Sequence, residues 1–416
     1  MSIRIQEIQA VIEGTRTARE RVQQRSTDAI IHTLAQAARN WLEPGSVWRK
    51  RAIEQAPATT GFSSEMVNEA VDLTFGAITE GALRELLITR PTPAPSQEGN
   101  FGLGLPSRGG DRGGFIVHFL AGNVPAPGIA RICSGLLLKS ANLVKVSSRD
   151  PVFPALFAES LREVDAELAD CVAVLDWRRD EVALTKAAMA EADAVIAYGD
   201  DDTIASLREL CRSDAQFYGY GHKLSFAVVA KEALTKDNLS QLAELAAFDT
   251  SVYDQQGCMS PHAFYIEEGG EISPREFASA LAVAMAKYQE RVPRGQLSVE
   301  EAAHIAKLRG LCEFWSAADG SVAVWSPGAS NDWLVIFNND PTFTPSCLNR
   351  VVFVKPVKQL VFIPQLVQRF ASHLSTVGLA PLDKRAMGLS EMLFRVGVTR
   401  ICAIGEMQRP LLSLSP

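Results

Sequence analysis

The sequence predicts an α/β protein made of two open α/β domains in tandem, preceded by a helical segment. Helical periodicity fills roughly the first 90 residues. From Phe115 onward, short apolar runs alternate with helical stretches of about a dozen residues, the pattern of βαβ units and a parallel sheet. The alternation ends near Gly221 and a second series begins at Leu224. A chain of 416 residues, 47% hydrophobic and 21% charged, can bury two or three cores and excludes extensive disorder.

Taken in order, Ser26-Thr27-Asp28 is a helix cap before Ile30, Ile31, Leu34, Ala37, Ala38 and Leu42, which recur at helical spacing. Two further helical patterns cover 64–79 and 81–89. In the stretch 91–114, 11 of 24 residues are Pro or Gly, which reads either as a linker or as an extended arm serving assembly. Strands are expected at 115–120, 142–147, 171–175 and 194–198, with helices at 151–170 and from Asp200. In the second series strands are expected at 224–230, 262–267, 322–325, 333–337, 350–354 and 399–404. Helices are expected there at 238–248, 274–291, 298–318 and 360–374.

Composition narrows the function. With 41 Lys+Arg against 48 Asp+Glu the net charge is −7, a poor basis for neutralising nucleic-acid phosphates. No stretch reaches the ~18 apolar residues of a spanning helix, and the amino terminus, Met1 to Glu7, does not read as a signal peptide. The seven cysteines are scattered and contain no C-x-x-C pair, and the six histidines are widely spaced, so no metal site is expected. A reducing cytoplasm suits this cysteine usage.

G-x-x-x-x-G-K-[ST] and G-x-S-x-G are both absent, and Gly102-Leu103-Gly104 opens no helix. Three places remain. The loop Tyr253-Asp254-Gln255-Gln256-Gly257-Cys258-Met259-Ser260-Pro261 sets a thiol among backbone donors, where Cys258 is either a nucleophile or a structural cysteine. The loop Ala121 to Gly128 follows a strand, where ligands of open sheets bind. Its Asn123 either faces a developing oxyanion or simply turns the chain. Lys145, in Val144-Lys145-Val146-Ser147-Ser148-Arg149, lies within an apolar strand and suits a ribose or phosphate, or else an edge position.

These patches occur together and in order, and with them the chain resembles the LuxC-type long-chain acyl-thioester (acyl-CoA) reductases, a branch of the aldehyde dehydrogenase superfamily. The resemblance runs from about Phe115 to Pro410. It is carried by Gly122-Asn123-Val124-Pro125, Val144-Lys145-Val146-Ser147, Tyr198-Gly199, Gly219-Tyr220-Gly221-His222-Lys223, the Asp254 to Pro261 string and Gly397-Val398-Thr399-Arg400-Ile401. The string around Cys258 is the most specific of these.

The resemblance implies an aldehyde-dehydrogenase-like fold. Residues 1–221 would hold the N-terminal helices and a Rossmann-like cofactor domain, 222–404 the catalytic domain with Cys258, and 405–416 a tail. It implies Cys258 as nucleophile, Asn123 as oxyanion donor, and Lys145, Ser147, Ser148 and Gly199 as cofactor-binding, with Gln255, Gln256 and Lys223 near the site. Ser148 stands where NAD-preferring members carry an acidic residue, so NADPH is expected, with NADH the alternative. The Glu of the oxidising members' Glu-Leu-Gly-Gly-Lys segment is missing from Gly219 to Lys223. His222 is then either a substitute acid or base, or a turn residue that packs.

The activity so implied is reduction of a fatty acyl thioester, either acyl-CoA or an acylated partner protein, to an aldehyde through an acyl-Cys258 intermediate. A homo-oligomer is expected, with the 91–114 arm and the tail as inter-subunit strands, and an acyl-transferring or acyl-activating enzyme as a partner. The alternatives are an acyl-phosphate reductase, an aldehyde dehydrogenase, and a non-catalytic acyl-holding subunit.

Overall fold

A computed structural model describes residues 4–88, 114–124, 127–328, 330–381 and 384–409. The expected arm, apart from Gly114, and the tail beyond 409 lie outside the described residues. The chain forms two compact units, one of Met1–Thr60 and Val67–His222, the other of Gly61–Met66 and Lys223–Pro410.

In the first unit the N-terminal helices belong to the α/β core. Helix Ile5–Val22 buries Ile8 and Ile12 in the same cluster as Phe115, Val117 and Leu143 of the sheet. Helix Thr27–Leu42 is capped by Ser26, whose Oγ accepts the Ala29 N–H at 3.2 Å. It sets Trp41 against Phe75, with ring centroids 4.2 Å apart, and the Trp41 indole N–H donates to Ser160 Oγ at 2.8 Å.

The first sheet has five strands: β1 (Phe115–Phe119), β2 (Ala141–Lys145), β3 (Val172–Leu175), β4 (Ala194–Tyr198) and β5 (Gln216–Tyr220). Their order is β3-β2-β1-β4-β5 and every pairing is parallel. The chain steps outward from β1 to β3 and then returns to the far side of β1. Its topological switch point therefore lies between β1 and β4, where open sheets bind ligands beyond the carboxyl ends of the strands.

The second sheet has seven strands: β6 (Leu224–Val229), β7 (Pro261–Glu267), β8 (Val322–Trp325), β9 (Leu334–Asn338), β10 (Val351–Val357), β11 (Leu374–Ala380) and β12 (Arg400–Ala403). The order is β12-β11-β6-β7-β10-β9-β8, with only the β8–β9 pair antiparallel. Both faces are covered. Phe226, Val228, Ala263 and Tyr265 point into one core with Ile305, Cys312, Ile363 and Leu393. Ala227, Val229, Phe264 and Ile266 point into the other with Leu242, Ala246, Phe277 and Leu281. Burial on both sides explains why these strands read as continuous apolar runs.

The structure differs from the sequence expectation at three strands. The helix expected at 360–374 is a series of short pieces, Leu360–Phe362, Ile363–Val367 and Gln368–His373, and Leu374 opens β11. The strand sequence Leu-Ser-Thr-Val-Gly-Leu-Ala has little apolar signal because Gly378 lies where a Cβ would come 2.8 Å from Met407 Sδ. β5, whose residues are only half buried, was likewise absent from the expected strands. β10 runs on to Val357 because Lys355 is buried, its ammonium donating to the Asp340 carbonyl at 2.9 Å.

One buried polar pair in the first sheet has a pH signature. His118 on β1 donates from Nε2 to Asn142 Oδ1 on β2 at 3.0 Å, and Asn142 Nδ2 donates to the Ser140 carbonyl. Burial pushes the imidazole pKa down to about 4, from 6.5. A depressed pKa contributes stability above the unfolded value and loses it as pH falls, here by up to ~3 kcal/mol between pH 6.5 and 4. The urea midpoint of the wild type should drop across that window. In His118→Gln, which keeps a donor for Asn142, most of that drop should vanish. Equal slopes in the two proteins would contradict the assignment.

Candidate active site

The carboxyl edge of the first sheet gathers the residues expected to bind a nucleotide. The loop after β1 carries Asn123, half-buried, and comes close to the loop after β2. A Cβ on Gly122 would stand 2.5 Å from both Ser147 Oγ and Arg149 Cβ, so only glycine allows the two loops to touch. Lys145 ends β2 and is half-buried, and burial pulls its pKa down against the opposing pull of Asp176. Its ammonium makes no hydrogen bond among the described residues. Ser147 is half-buried, and Ser148 and Arg149 are exposed.

Gly199 follows β4 and donates its N–H to the Tyr220 carbonyl of β5 at 3.2 Å. His222, exposed beyond β5, donates its backbone N–H to Asp201 Oδ1 at 3.1 Å. Lys223 opens the second unit, and its ammonium donates to the Ser372 carbonyl at 3.2 Å.

Cys258 lies on the short loop between helix Leu239–Ser251 with its 3-10 extension Val252–Gln255 and the start of β7. The loop is held on both sides of the thiol. Before it, the fully buried Gln255 amide donates to the carbonyls of Pro261 and Val351, both at 2.8 Å, and accepts the Val351 N–H at 2.8 Å. Gln256 donates to Asn349 Oδ1 at 2.9 Å. At the thiol, the Cys258 carbonyl accepts from Ser225 Oγ of β6 at 2.8 Å. After it, Ser260 Oγ accepts from Gln408 at 2.9 Å and Met259 Sδ lies 3.6 Å from the Arg400 guanidinium. Gln255 and Gln256 therefore place the loop by bonding to protein.

Burial separates the seven cysteines. Cys133, Cys171 and Cys312 are buried, Cys211, Cys347 and Cys402 are half-buried, and Cys258 alone is exposed. Burial pushes Cys133 and Cys171 up to about 12 and Cys347 and Cys402 up to about 11, which leaves those thiols inert at neutral pH.

Sequence reasoning missed the segment behind this loop. Asp249 is fully buried at the end of its helix and accepts the N–H groups of Gly405 at 2.6 Å and Met407 at 3.1 Å. Burial raises its pKa to about 7 against those two bonds. Gln408 Nε2 also donates to the Asp249 carbonyl at 3.0 Å. The available signal was an acidic residue directly after the apolar run Leu245-Ala246-Ala247-Phe248. Among the described residues no group of three His, Cys, Asp or Glu is placed to hold a metal, and no helix is long and apolar enough to cross a membrane.

Two open α/β units, the second bearing an exposed cysteine on a pinned loop, define a protein of aldehyde-dehydrogenase-like fold. Solved structures agree. The NAD-dependent benzaldehyde dehydrogenase of Corynebacterium glutamicum aligns with a TM-score of 0.68 at 13% identity, over 98% of this chain and 88% of its own. The NADP-complexed glyceraldehyde-3-phosphate dehydrogenase of Methanocaldococcus jannaschii aligns at 0.69 and 13%, over 97% and 87%. The family follows from sequence: residues 22–411 match the acyl-CoA reductase (LuxC) family, and the chain belongs to it. It is 30% identical over 299 residues to long-chain acyl-protein thioester reductase 2 of Photobacterium leiognathi, covering 70% of this chain and 58% of the relative. The chain thus spans little more than half of the curated relative it matches.

The exposure pattern gives a direct test. Iodoacetamide added to the native protein should modify Cys258 first, and the buried Cys133, Cys171 and Cys312 only after urea unfolding, read by peptide mass spectrometry. Native-state modification of Cys133 or Cys171 at a comparable rate would refute the burial described here.

Proposed function

We propose that the protein reduces fatty acyl thioesters to aldehydes, with Cys258 as the nucleophile and NADPH as the reductant. The observation that carries this is the single exposed thiol of seven, held on a loop fixed at both ends. In this reading residues 222–404 supply the catalytic side and residues 1–221 the nucleotide side.

The Cys258 thiolate attacks the thioester carbonyl, and the charge that develops on oxygen is met by the Asn123 amide and the Cys258 backbone N–H. Expulsion of the donor thiolate leaves the acyl group on Cys258 sulfur. A nicotinamide nucleotide held by Lys145, Ser147, Ser148 and Gly199 would supply the hydride needed to bring the acyl carbon to the aldehyde level. Cys258 then departs as thiolate, ready for another turn. His222 is the candidate to protonate the donor thiolate once it has left.

The residues of the first sheet's edge fit a dinucleotide. Lys145 offers an ammonium without a hydrogen-bond partner among the described residues, Ser147 and Ser148 offer hydroxyls, and Gly199 brings backbone without a side chain to the end of β4. Exposed Arg149 and the absence of a carboxylate at 148 favour a 2′-phosphate, and Asp176 beside Lys145 opposes it. We weigh the two cations above the one exposed carboxylate and read NADPH.

The relative's activity as an acyl-protein thioester reductase makes an acylated partner protein the first donor to test beside acyl-CoA, delivered by an acyl-transferring or acyl-activating enzyme. Assembly into a homo-oligomer and a cytoplasmic setting, where the thiol stays reduced, belong to the same reading.

Intact-mass spectrometry with decanoyl-CoA should show a decanoyl adduct on the wild type that disappears on adding NADPH, with decanal released. Cys258→Ala should take up no acyl group, and an adduct on that variant would end the proposal. Lys145→Ala should raise the nucleotide KM by roughly ten-fold or more, the worth of one charge-assisted hydrogen bond, while acylation stays at the wild-type rate. An unchanged nucleotide KM would remove Lys145 from the nucleotide site.

A further inference from the structure

Two turns of the second unit hold three successive non-glycine residues in the left-handed region. Tyr253, Asp254 and Gln255 have φ of 55°, 51° and 63°, and Leu348, Asn349 and Arg350 have φ of 62°, 58° and 64°. Among the described residues no other consecutive non-glycine residues do so. Side chains rarely adopt this region, and such runs persist only where surrounding contacts enforce them.

Here each turn enforces the other. Arg350 Nε donates to Asp254 Oδ1 at 2.9 Å, with a second guanidinium nitrogen 2.8 Å from the same oxygen, and the pair is buried. The remaining Asp254 oxygen accepts the Gly295 N–H at 2.9 Å. Arg350 also donates to Gln289 Oε1 at 2.7 Å and to the Val292 carbonyl at 3.0 Å. The Gln256–Asn349 bond and the three Gln255 bonds to Pro261 and Val351 complete the clasp. Asn349 is itself anchored, donating to Glu301 Oε1 at 3.3 Å. The clasp joins the amino ends of β7 and β10, which pair directly.

Cys258 leaves this clasp two residues after Gln256, so the direction in which the loop departs sets where the sulfur stands. We propose that the turn at 348–350 is the positioning element of the nucleophile loop, with Asn349 and Arg350 as positioning residues. The proposal rests on reading Cys258 as the nucleophile. It assigns catalytic consequence to residues that touch no reacting atom.

Removing Arg350 or Asp254 would strand a buried charge and unfold the region, so the test uses the outer tie. Asn349→Gly keeps a residue suited to φ 58° and deletes the bonds to Gln256 and Glu301, and Gln256→Ala deletes the first of these alone from the other side. Both variants and their combination are compared with wild type by thermal melting, by the iodoacetamide alkylation rate at Cys258 across pH, and by kcat and KM with decanoyl-CoA.

Each single variant should slow alkylation and lower kcat by roughly ten-fold or more, with KM moving less, because small misplacements of a reacting group cost rate. The double variant should lose no more than Asn349→Gly alone, since that substitution already removes the bond that Gln256→Ala cuts. Should Asn349→Gly melt early, Gln256→Ala carries the test alone. A folded single variant with wild-type alkylation, or additive losses in the double, overturns the proposal. Slowed alkylation with wild-type turnover would uphold the positioning and sink the nucleophile reading instead.

Discussion

Parallel strands can be joined only by crossovers that carry the chain back to the edge where it started. In the first unit the crossovers leave the carboxyl ends of β1, β2, β4 and β5 side by side, and those ends carry Asn123, Lys145 with Ser147 and Ser148, Gly199, and His222. Residues spread over a hundred positions share one edge because the ladder permits nothing else. In the second unit the constraint acts in reverse. Cys258 lies at an amino edge, just before β7, where the ladder has only begun and backbone groups lack strand partners. Gln255 and Ser225 supply them, which is why an amide and a hydroxyl sit fully buried beside an exposed thiol.

The magnitudes agree with this account. A left-handed non-glycine residue costs about 1–2 kcal/mol, while a typical hydrogen bond returns about 0.5–1.5 kcal/mol net. A run of three therefore needs roughly one tie per residue. The structure provides them: Tyr253 N–H to Met66 Sδ, Asp254 to Arg350, Gln255 to Val351, Leu348 N–H to Ser346 Oγ, and Asn349 to Gln256. Losing the tie at Asp254 or Gln255 also leaves a buried polar group unpaired, at about 1–3 kcal/mol, whereas the outer tie between Gln256 and Asn349 is only part-buried.

Local sequence carried the doubly covered strands and the amphipathic helices, because apolar runs and periodicity record burial directly. Helix Pro274–Arg291 and strand Val322–Trp325 fall where the pattern sets them. β11 and β5 escaped because a strand with Ser, Thr or Gly, or with half its side chains in solvent, leaves no run to see. The loop around Cys258 was legible from its residue types. Its partners were not: Asn349 and Arg350 are some 90 residues distant, and Asp249 meets Gly405 and Met407 from 156 and 158 positions away. Only the folded sheet order brings such pairs together.

On the proposed reading, the segment from Gly219 to Lys223 bears on the fate of an acyl group held by Cys258. Hydrolysis of a thioester needs a base to activate water, and this segment holds no carboxylate. Its Tyr220 and Lys223 side chains have other commitments. The Tyr220 ring stacks on Tyr198 at 4.6 Å, Arg131 lies 5.9 Å over that ring and donates to the Tyr198 hydroxyl, and Lys223 is bonded to Ser372. On the proposed reading an acyl-Cys258 ester thus meets two competent acceptors, a returning thiol and hydride, and water is the poor one. A thioester kept from water retains its leaving-group energy. That is the condition under which a cysteine enzyme runs from thioester to aldehyde and does not drain its intermediate to free acid.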